Sequence, residues 1–447
     1  MSGDEVYAEY VASQIKPISV SGWYLLCLNK GLNFKCGCGG RVGNLHIGIA
    51  GCGPAGLSAA LFLNRQGHRV TLVDQLEAPA PVGSGFMLQA TGLAVLAELG
   101  LGSPIRALGV EIERLHGRAV PSQRTVLDVR FDNLGPGMRG LAVHRAALFD
   151  VLFQAVQRAG IEVVTGSCVT SYSCGSDQRP SLQTRSGASI GPFDFVIDAL
   201  GAGSPLRTQM WPKKRVEALP FGALWTSLEV KAGASLNGFA AHTLEQVYRR
   251  ADRMAGVMPI GKISKETAPY TAFFWSMKQA DVATWEKEGL ACWKDEVIGL
   301  WPETAELLSQ IENHTQMTFA QYGHHTLSQP YRGRVVSIGD AAHATSPQLG
   351  QGVNMALLDA YALSEAVAAT RDPGEAVVMY AKARRYHVRI YQTLSRAFTP
   401  VYQSDSTVLP FLRDWLFAPV AGLPLVPKLI ARVVSGTLLP PSIDVRK

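Results

Sequence analysis

The sequence predicts an α/β fold with a parallel sheet flanked by helices, an inserted and mainly antiparallel sheet, and a helical C-terminal region. Three observations support it: a strand–turn–helix–strand pattern over residues 45–74, alternating aromatic segments over 217–329, and the return of a buried apolar strand at 334–338. Because a buried strand returns after the alternating stretch, the first domain is predicted to be discontinuous and the second to be inserted into it.

The length and composition indicate two domains with substantial cores. The chain has 447 residues, of which 47% are hydrophobic and 17% are charged. This length exceeds what one hydrophobic core usually holds, and the low charge argues against disorder. The net charge is +6, and the longest basic run is Lys213-Lys214-Arg215. No nucleic-acid-binding motif accompanies that run, so we interpret it as a solvated loop and predict no nucleic-acid partner.

The cysteines and the N-terminus favour a cytoplasmic protein without a metal site. Seven cysteines are spread along the chain without paired zinc spacing, which predicts incidental thiols in a reducing compartment. No run of about 18 apolar residues predicts a transmembrane helix. The N-terminus carries Asp4 and Glu5 and lacks the basic region of a signal peptide. Residues 1–44 show no clear periodicity and are predicted to be a poorly ordered extension.

The most informative motif is Gly51-Cys52-Gly53-Pro54-Ala55-Gly56, which joins an apolar strand to a helix. Gly51 permits a tight turn, Gly53 lets the backbone approach a pyrophosphate, and Gly56 allows close packing of helix and strand. The helix N-terminus then offers free N–H groups to the negative charge. Asp74 follows about 20 residues later, where a carboxylate can accept hydrogen bonds from an adenosine ribose. This context predicts a Rossmann-like, dinucleotide-binding unit.

Further elements are predicted between this motif and the returning strand. Residues 91–99 and 144–158 have helical spacing, and the second stretch is strongly amphipathic. Residues 126–131 alternate like a strand, whereas 161–164 and 193–200 are short apolar runs typical of buried strands.

The second motif follows the returning strand and comprises Gly339-Asp340-Ala341-Ala342-His343, Pro347 and Gly350-Gln351-Gly352-Val353-Asn354. An acid at a strand end, followed by glycines that open a helix, is more typical of a cofactor site than of a core. Asp340 can hydrogen-bond a sugar-alcohol hydroxyl. The backbone N–H groups of residues 351–354 can stabilise negative charge on a reduced isoalloxazine.

Together the motifs resemble the single-component, group A flavoprotein aromatic hydroxylases, the superfamily of para-hydroxybenzoate hydroxylase and the ubiquinone-biosynthesis hydroxylases. The resemblance covers roughly residues 45–394 and includes Val143-His144-Arg145, which is similar to the family's arginine-bearing helix start. It implies a glutathione-reductase-like FAD-binding domain, a substrate domain and a C-terminal helical tail. The predicted boundaries are 45–107, 140–216 and 330–380 for the first, 108–139 and 217–329 for the second, and 381–447 for the tail.

The resemblance also implies a role for each motif residue. The predicted FAD-binding residues are Gly51, Gly53, Pro54, Ala55, Gly56, Asp74, Arg145, Asp340, Gly350, Gln351, Gly352, Val353 and Asn354. Two residues are predicted at the catalytic centre: Pro347 packs beside the flavin where oxygen reacts, and His343 holds the loop by hydrogen bonds. The implied electron donor is NADH or NADPH, and no metal is predicted.

One segment departs from the family pattern. The family usually has an Asp-Gly pair linked to FAD and nicotinamide binding, whereas this chain has Leu200-Gly201, with Ser204 and Arg207 matching. Asp198 could compensate from the preceding strand. The departure makes reduction by a separate flavin reductase a second route to the reduced cofactor.

The implied reaction is hydroxylation or epoxidation of an aromatic, quinone-like or other electron-rich small molecule with O₂, through a flavin C4a-hydroperoxide. FAD-dependent reduction or dehydrogenation of an isoprenoid-like substrate is the alternative that Leu200 favours. A non-catalytic FAD-binding protein is a third reading. The predicted partners are an aromatic or lipophilic substrate and O₂. For the tail, packing onto the cofactor domain is favoured over peripheral membrane contact.

A base that deprotonates a phenol would assist hydroxylation, because phenolate is the stronger nucleophile. The predicted substrate domain offers several side chains for contact with a substrate, and the sequence does not choose among them. They are His242, Tyr248, Trp275, His324 and His325, with Trp225 and Phe274 as further candidates for an apolar pocket wall.

Overall fold

The computed structural model describes residues 44–77, 84–230, 238–370, 372–417 and 423–439. It confirms the predicted α/β fold with an added antiparallel sheet and a helical C-terminal region. Apart from residue 44, the predicted N-terminal extension lies outside the described residues.

The strands follow one another along the whole chain. In chain order they are β1 (His46–Ala50), β2 (Arg69–Val73), β3 (Gly85–Leu88), β4 (Val110–Ile112), β5 (Arg114–Ala119), β6 (Thr125–Arg130), β7 (Gly140–His144), β8 (Glu162–Val164), β9 (Val169–Cys174), β10 (Pro180–Thr184), β11 (Ser189–Ile190), β12 (Phe195–Asp198), β13 (Glu217–Glu229), β14 (Thr243–Arg249), β15 (Arg253–Gly261), β16 (Tyr270–Lys278), β17 (Thr318–His324), β18 (Tyr331–Arg332) and β19 (Val335–Ser337).

The helices lie between the strands and, in the last part of the chain, after them. In chain order they are α1 (Pro54–Arg65), α2 (Ala90–Glu98), α3 (Gly102–Arg106), α4 (Arg145–Arg158), α5 (Pro205–Met210), α6 (Val282–Glu288), α7 (Leu290–Leu300), α8 (Ala305–Ser309), α9 (Asp340–His343), α10 (Gly352–Ala369), α11 (Pro373–Tyr402), α12 (Val408–Leu412) and α13 (Val426–Val434).

A six-stranded sheet carries the two glycine-rich motifs. Its order is β18-β19-β12-β1-β2-β8, and every pair is parallel except β18–β19. Its central strands are apolar along their length because both faces are covered, one by helices that include α1, α4 and α10 and the other by the three-stranded sheet β11-β10-β9 together with α5. The two motifs lie at the carboxyl ends of β1 and β19, which only β12 separates. Open α/β sheets bind ligands at this edge.

A seven-stranded sheet forms the second layer, in the order β17-β13-β16-β15-β14-β5-β6. It is antiparallel except for the β14–β5 pair. One face packs on α6, α7 and α8 through a tryptophan-rich core that includes Trp275 and Trp293. The other face presents Trp225 and Phe274 toward the C-terminal half of α11. Strands β5 and β6 therefore complete a sheet built largely from residues 217–324.

The C-terminal region differs from the predicted tail in where it begins. Helix α11 starts at Pro373 and runs without interruption to Tyr402, across the predicted boundary at residue 380, with Asp372 capping its first turn. Helix α13 then packs against β6 and residues 131–134. Across the described part of the chain, every helix is too short or too polar to cross a membrane.

Candidate active site

The first glycine-rich turn shows why each glycine is required. Gly51 has φ +107°, and a Cβ there would lie 2.5 Å from the Ala199 carbonyl oxygen. A Cβ on Gly56 would collide with the Gly51 carbonyl oxygen, whereas one on Gly53 would meet no atom within 4 Å. Gly51 and Gly56 are thus needed for close packing, and Gly53 borders open space, as expected for a backbone that a ligand approaches.

Helix α1 begins directly behind this open space. Gly53 is its N-cap, Pro54 occupies the first turn, and Ala55 is buried. Pro54 suits this position because the first amides of a helix have no intrahelical partner and its φ is already helical. The remaining free N–H groups and the helix dipole create a site for negative charge.

Asp74 connects the end of β2 to the glycine-rich turn. Its two carboxylate oxygens accept hydrogen bonds from the backbone N–H groups of Cys52, at 2.6 Å, and Leu76, at 2.9 Å. Burial and the Asp74 charge raise the pKa of the Cys52 thiol to about 12. Asp74 therefore braces the turn, and Cys52 stays a neutral packing residue.

The second motif packs directly against the first. Gly339 has φ +58°, and a Cβ on it would lie 3.3 Å from the Ala55 Cβ and 3.2 Å from the Ala356 Cβ. Only glycine fits this left-handed position between two helices. The strand end at Gly339 thereby brings Asp340 next to the start of α1.

Asp340 and Arg145 lie close enough to interact electrostatically. Asp340 is exposed, yet protein surrounds it so closely that desolvation raises the pKa of its carboxyl, while His343 and Arg145 act to lower it. Arg145 is also exposed and opens α4, a helix capped by the Nδ1 atom of His144, which accepts from the Ala146 N–H. The structure thus brings together one acid and one base that the sequence separates by almost 200 residues.

The loop before α10 carries the remaining predicted contacts. Pro347 opens a 3-10 turn and is exposed, Gly350 is left-handed with φ +61°, and a Cβ on Gly352 would meet no atom within 4 Å. Val353 is partly buried against the core. The backbone at the start of α10 is therefore open to a neighbouring group, as the prediction requires.

The side chain of Asn354 holds this loop to the end of β3. It accepts a hydrogen bond from the Gln89 N–H at 2.8 Å and donates to the carbonyl oxygens of Met87 and Gly350 at 3.2 and 3.0 Å. Its amide is thus occupied by protein, which leaves the backbone as the part of Asn354 that can face a ligand.

Gln351 links the loop to the C-terminal segment. Its side chain is buried and donates a hydrogen bond to the Val434 carbonyl oxygen, and Gly436 packs against Gln351 and Thr91. The side-chain oxygens of Gln351, Gln89 and Thr91 are buried without a protein partner. The sequence alone did not predict that the C-terminal segment reaches the cofactor loop.

His343 belongs to a buried ionic cluster. Its Nε2 atom lies 2.6 Å from one oxygen of Asp359, whose other oxygen accepts from Arg384 Nε at 2.6 Å. Arg384 Nη1 lies 3.0 Å from His387 Nδ1. Burial alone would raise the pKa of Asp359, but the charges of His343 and Arg384 overcome it and hold that pKa well below its usual range. Asp359 also accepts the Gly339 N–H at 2.8 Å, so the cluster positions the second motif.

Asp198 does not replace the missing aspartate at Leu200. It is completely buried at the end of β12 and accepts hydrogen bonds from the hydroxyls of Ser204, at 2.7 Å, and Ser337, at 2.8 Å. A further bond comes from the Leu200 N–H at 3.2 Å. Asp198 holds three segments together, and the hypothesis that it compensates toward a ligand is wrong because the sheet encloses it.

The side chains predicted to contact a substrate lie in different places: some on the sheet face turned toward α11, some in the hydrophobic core and one at the surface. Trp225 donates through Nε1 to the Tyr322 hydroxyl at 2.9 Å and packs on Phe274 at 4.6 Å, on the sheet face turned toward α11. Trp275 is buried on the opposite face, and Tyr248 is fully buried. The sequence analysis did not identify Tyr322. Its place beside Trp225 becomes evident only from the pairing of β17 with β13.

The three candidate histidines have different surroundings. His242 is exposed, with Nδ1 2.8 Å from the Glu111 carbonyl oxygen. His325 is buried beside Arg207, and burial together with that charge lowers its pKa to about 4. His324 is buried in the wall of a cleft of about 400 Å³. A bulge in β13 shapes this cleft, and its other lining residues include Glu217, Leu219, Pro220, Phe221, Arg396, Thr399, Pro400, Gln403, Ser404 and Asp405.

These features fit an FAD group. A helix start faces open space at Gly53, a second helix start does so at Gly352, and an exposed acid and base lie between the two motifs. The family comparison agrees: the sequence profile described as "FAD binding domain" matches residues 44–389. The chain therefore belongs to the group A flavoprotein monooxygenases, and the predicted FAD cofactor and monooxygenase class are confirmed.

Individual relatives agree with this assignment. A putative FAD-dependent monooxygenase, YetM of Bacillus subtilis, is 26% identical over 78% of this chain and 92% of its own length. The phenazine 1,6-dicarboxylic acid hydroxylase PhzS of Lysobacter antibioticus is 28% identical over 76% of this chain and 86% of its own. The solved structure of Klebsiella pneumoniae HpxO complexed with FAD and uric acid superimposes with a TM-score of 0.73 at 20% identity, covering 89% of this chain and 99% of its own.

Proposed function

We propose that this enzyme hydroxylates a small aromatic molecule bound between the Pro347 loop and the Trp225 face of the seven-stranded sheet. The observation that carries the proposal is the arrangement of two open helix starts, at Gly53 and Gly352, beside the exposed Asp340 and Arg145. Relatives named as hydroxylases of phenazine 1,6-dicarboxylic acid and urate support an aromatic substrate class.

The proposed FAD site uses residues from both motifs. Gly53 and the start of α1 receive the pyrophosphate, Asp74 lies at the adenosine ribose, and Arg145 and Asp340 hold the central part. The backbone from Gly350 to Asn354 faces the ring system. When bound, FAD supplies the electron transfer and oxygen chemistry. The protein's own tasks are to bind, orient and exclude water, and His343 acts in this scheme as a positioning residue through Asp359.

The Trp225 face supplies what an aromatic substrate needs. Trp225, Phe274 and Tyr322 form an apolar wall that carries one hydroxyl, and the Trp225 N–H occupies the acceptor side of that hydroxyl. The Tyr322 hydrogen is then directed away from Trp225 and can be donated to a polar substituent. Burial raises the pKa of Tyr322 above its ordinary value, which keeps it a neutral donor at physiological pH.

The test of the proposed reaction is oxygen incorporation. The purified holoenzyme is incubated with reductant, a panel of hydroxylated and amino-substituted aromatics, and ¹⁸O₂. The proposal requires at least one aromatic product that carries a single ¹⁸O atom. Product formation that proceeds equally well without O₂ would identify a reductase or dehydrogenase instead.

The electron donor is a separate proposal because Leu200 departs from the usual pattern. NAD(P)H is typical of the family, and we propose that it reduces this enzyme directly. Anaerobic stopped-flow with NADH and NADPH tests this through bleaching of the flavin absorbance. Bleaching only after a flavin reductase is added would show that Leu200 marks the loss of direct reduction.

A second proposal concerns the outer face of the C-terminal segment. Large apolar side chains are exposed at Phe411, Trp415 and Leu425, with fractions of 59%, 53% and 79%. Residues 413–417 and α13 contact β6, and the exposed Lys428 and Arg432 add positive charge. We propose peripheral contact of this face with an anionic bilayer. Flotation with phosphatidylglycerol vesicles but not phosphatidylcholine vesicles is expected, and its absence would contradict the proposal.

A further inference from the structure

His324 has one ring nitrogen beside a hydroxyl group and the other without a protein partner. The residue is 3% exposed and lines the cleft of about 400 Å³ between β13, β17 and α11. Nε2 is buried without a hydrogen-bond partner. A buried polar atom without a hydrogen-bond partner destabilises the folded protein. A ligand that donates a hydrogen bond to Nε2 would therefore bind more favourably.

The hydroxyl groups behind His324 determine which nitrogen carries its proton. Thr345 Oγ1 donates to Ser395 Oγ at 2.6 Å, and Ser395 in turn donates to the Ser346 carbonyl oxygen. Because Thr345 donates its only hydrogen to Ser395, its oxygen is free to accept from His324 Nδ1, which lies 3.4 Å away. This arrangement favours the neutral tautomer with the proton on Nδ1, in which Nε2 presents a lone pair.

The same hydroxyl chain ties His324 to the cofactor loop. Ser346 precedes Pro347 directly, and its hydroxyl lies 2.9 Å from Ser395 Oγ and 2.6 Å from Thr399 Oγ1. Thr399 itself lines the cleft. The cleft wall is also joined to the loop through Gln403, whose side-chain oxygen accepts from Gln348 at 2.8 Å. A ligand at His324 would thus lie against the wall that also anchors residues 346–348.

From this geometry we infer that His324 recognises an aromatic substrate that bears a ring hydroxyl, accepting its hydrogen bond at Nε2 and taking its proton during hydroxylation. The inference rests on the proposed function. In the proton transfer the phenolic O–H bond breaks, its electron pair stays on oxygen, and a new N–H bond forms at Nε2. The imidazolium returns that proton to solvent through the cleft after the reaction.

Charges around the cleft keep His324 ready to accept. Burial lowers the pKa of His324 below its ordinary value, Arg396 on α11 lowers it further, and Glu217 on β13 opposes them. Asp405 is paired with Lys278 at 2.7 Å. His324 is thus neutral at pH 7, and protonation on acidification would remove the acceptor.

The test compares two probes, para-cresol and para-methylanisole, which differ by one methyl group on the oxygen and of which the phenol keeps its proton throughout the pH range used. Binding to the FAD-loaded protein is measured by calorimetry. We expect the phenol to bind at least roughly 10-fold tighter than the ether, because only the phenol can donate to Nε2. The preference should vanish in His324→Ala, persist in the matched control His242→Ala, and weaken as the pH falls through the pKa of His324.

Either of two results would overturn the inference. One is a wild-type protein that binds both probes equally or neither; the other is a preference that survives in His324→Ala. In both cases flavin reduction and ¹⁸O incorporation test the proposed function separately. The monooxygenase activity can therefore be confirmed even when the role of His324 is contradicted. A His324→Ala protein that loses FAD is replaced by His324→Phe, which keeps the ring volume and removes both nitrogens.

Discussion

Two buried histidines lie in opposite kinds of environment. His343 ends α9 in the cofactor half of the protein, and His324 ends β17 in the substrate half. His343 faces a carboxylate that is itself paired with Arg384 and bonded to Gly339, so its partners are all protein groups. His324 has one nitrogen tied to Thr345 and one without a partner in a cleft wall. The hydrogen-bonding capacity of the His343 side of Asp359 is thus met by protein groups, whereas His324 keeps one ring nitrogen without a protein partner.

This contrast explains what each half can tolerate. A group enclosed by charged partners cannot be removed without leaving another charge buried and unpaired. A group that faces a cleft can change with little loss of stability but with a change in ligand preference. We therefore expect the largest stability effects in the ionic cluster and the largest selectivity effects around His324.

The largest expected effect comes from Asp359→Asn. The change leaves Arg384 buried without its counter-charge, which costs about 3–5 kcal/mol of unfolding free energy. Chemical denaturation monitored by circular dichroism measures the loss. In the wild type the pKa of Asp359 is held low, so its contribution is complete above the ordinary carboxyl pKa of about 4 and is lost as the pH falls below it. A loss below about 1 kcal/mol would show that the cluster is not what holds the second motif.

The next largest effect separates two glycines of the first turn. Gly56→Ala places a methyl group against the Gly51 carbonyl oxygen and should cost about 3 kcal/mol of stability. Gly53→Ala has no protein atom within 4 Å of the new methyl group, so stability should be kept while FAD affinity falls. Thermal unfolding of apoprotein and flavin titration distinguish the two. Equal destabilisation by both would mean that Gly53 does not border the cofactor.

A smaller effect on stability is expected at Asp340, which is exposed at the start of α9. Asp340→Ala should leave the unfolding free energy within about 1 kcal/mol of the wild type and weaken FAD binding by roughly 10-fold or more, as for a lost hydrogen bond to a charged group. Flavin content after dialysis and a fluorescence titration provide the measurement. A variant that retains the full yellow colour and affinity would contradict the site assignment.

The smallest effect at neutral pH is expected at His387, where the change is in the slope of stability against pH. Burial, reinforced by Arg384, lowers the pKa of His387 to about 3. The unfolded chain therefore binds more protons than the folded one between this value and about pH 6.5, so stability rises with pH in that window. His387→Asn should reduce the slope by up to about 1.4 kcal/mol per pH unit. An unchanged slope would show that another group titrates there.

The parts of the site that the sequence could predict are those where backbone geometry demands a residue type. Gly51, Gly56 and Gly339 each occupy a position that any side chain would block. A requirement of this kind appears in the sequence as glycines at fixed spacing. Asp340 and Arg145 follow the ends of strands, and the apolar runs that precede them in the sequence predict those strands. The fold class followed from the same periodicities.

The parts that escaped prediction depend on tertiary pairing. Asp359 and Arg384 lie in helical stretches where a charged residue normally faces solvent, and nothing local indicates that they meet. Asp198 was misjudged because its role depends on Ser337, which the sheet brings beside it from far along the chain. The acceptor at His324 emerges only when the direction of the Thr345 hydrogen bond is known.

The contact between Gln351 and Val434, with Gly436 packed beside it, also has a consequence for biosynthesis. The turn at Gly51–Gly56 leaves the ribosome well before the segment that closes the other end of the cofactor loop. At about 5–20 residues per second, the interval between them is roughly 20–80 s. During that time the nascent chain has the glycine-rich turn for the pyrophosphate but lacks the C-terminal contact to the loop that faces the flavin ring. A premature stop before residue 426 should therefore yield a polypeptide that folds around its first motif yet retains flavin poorly.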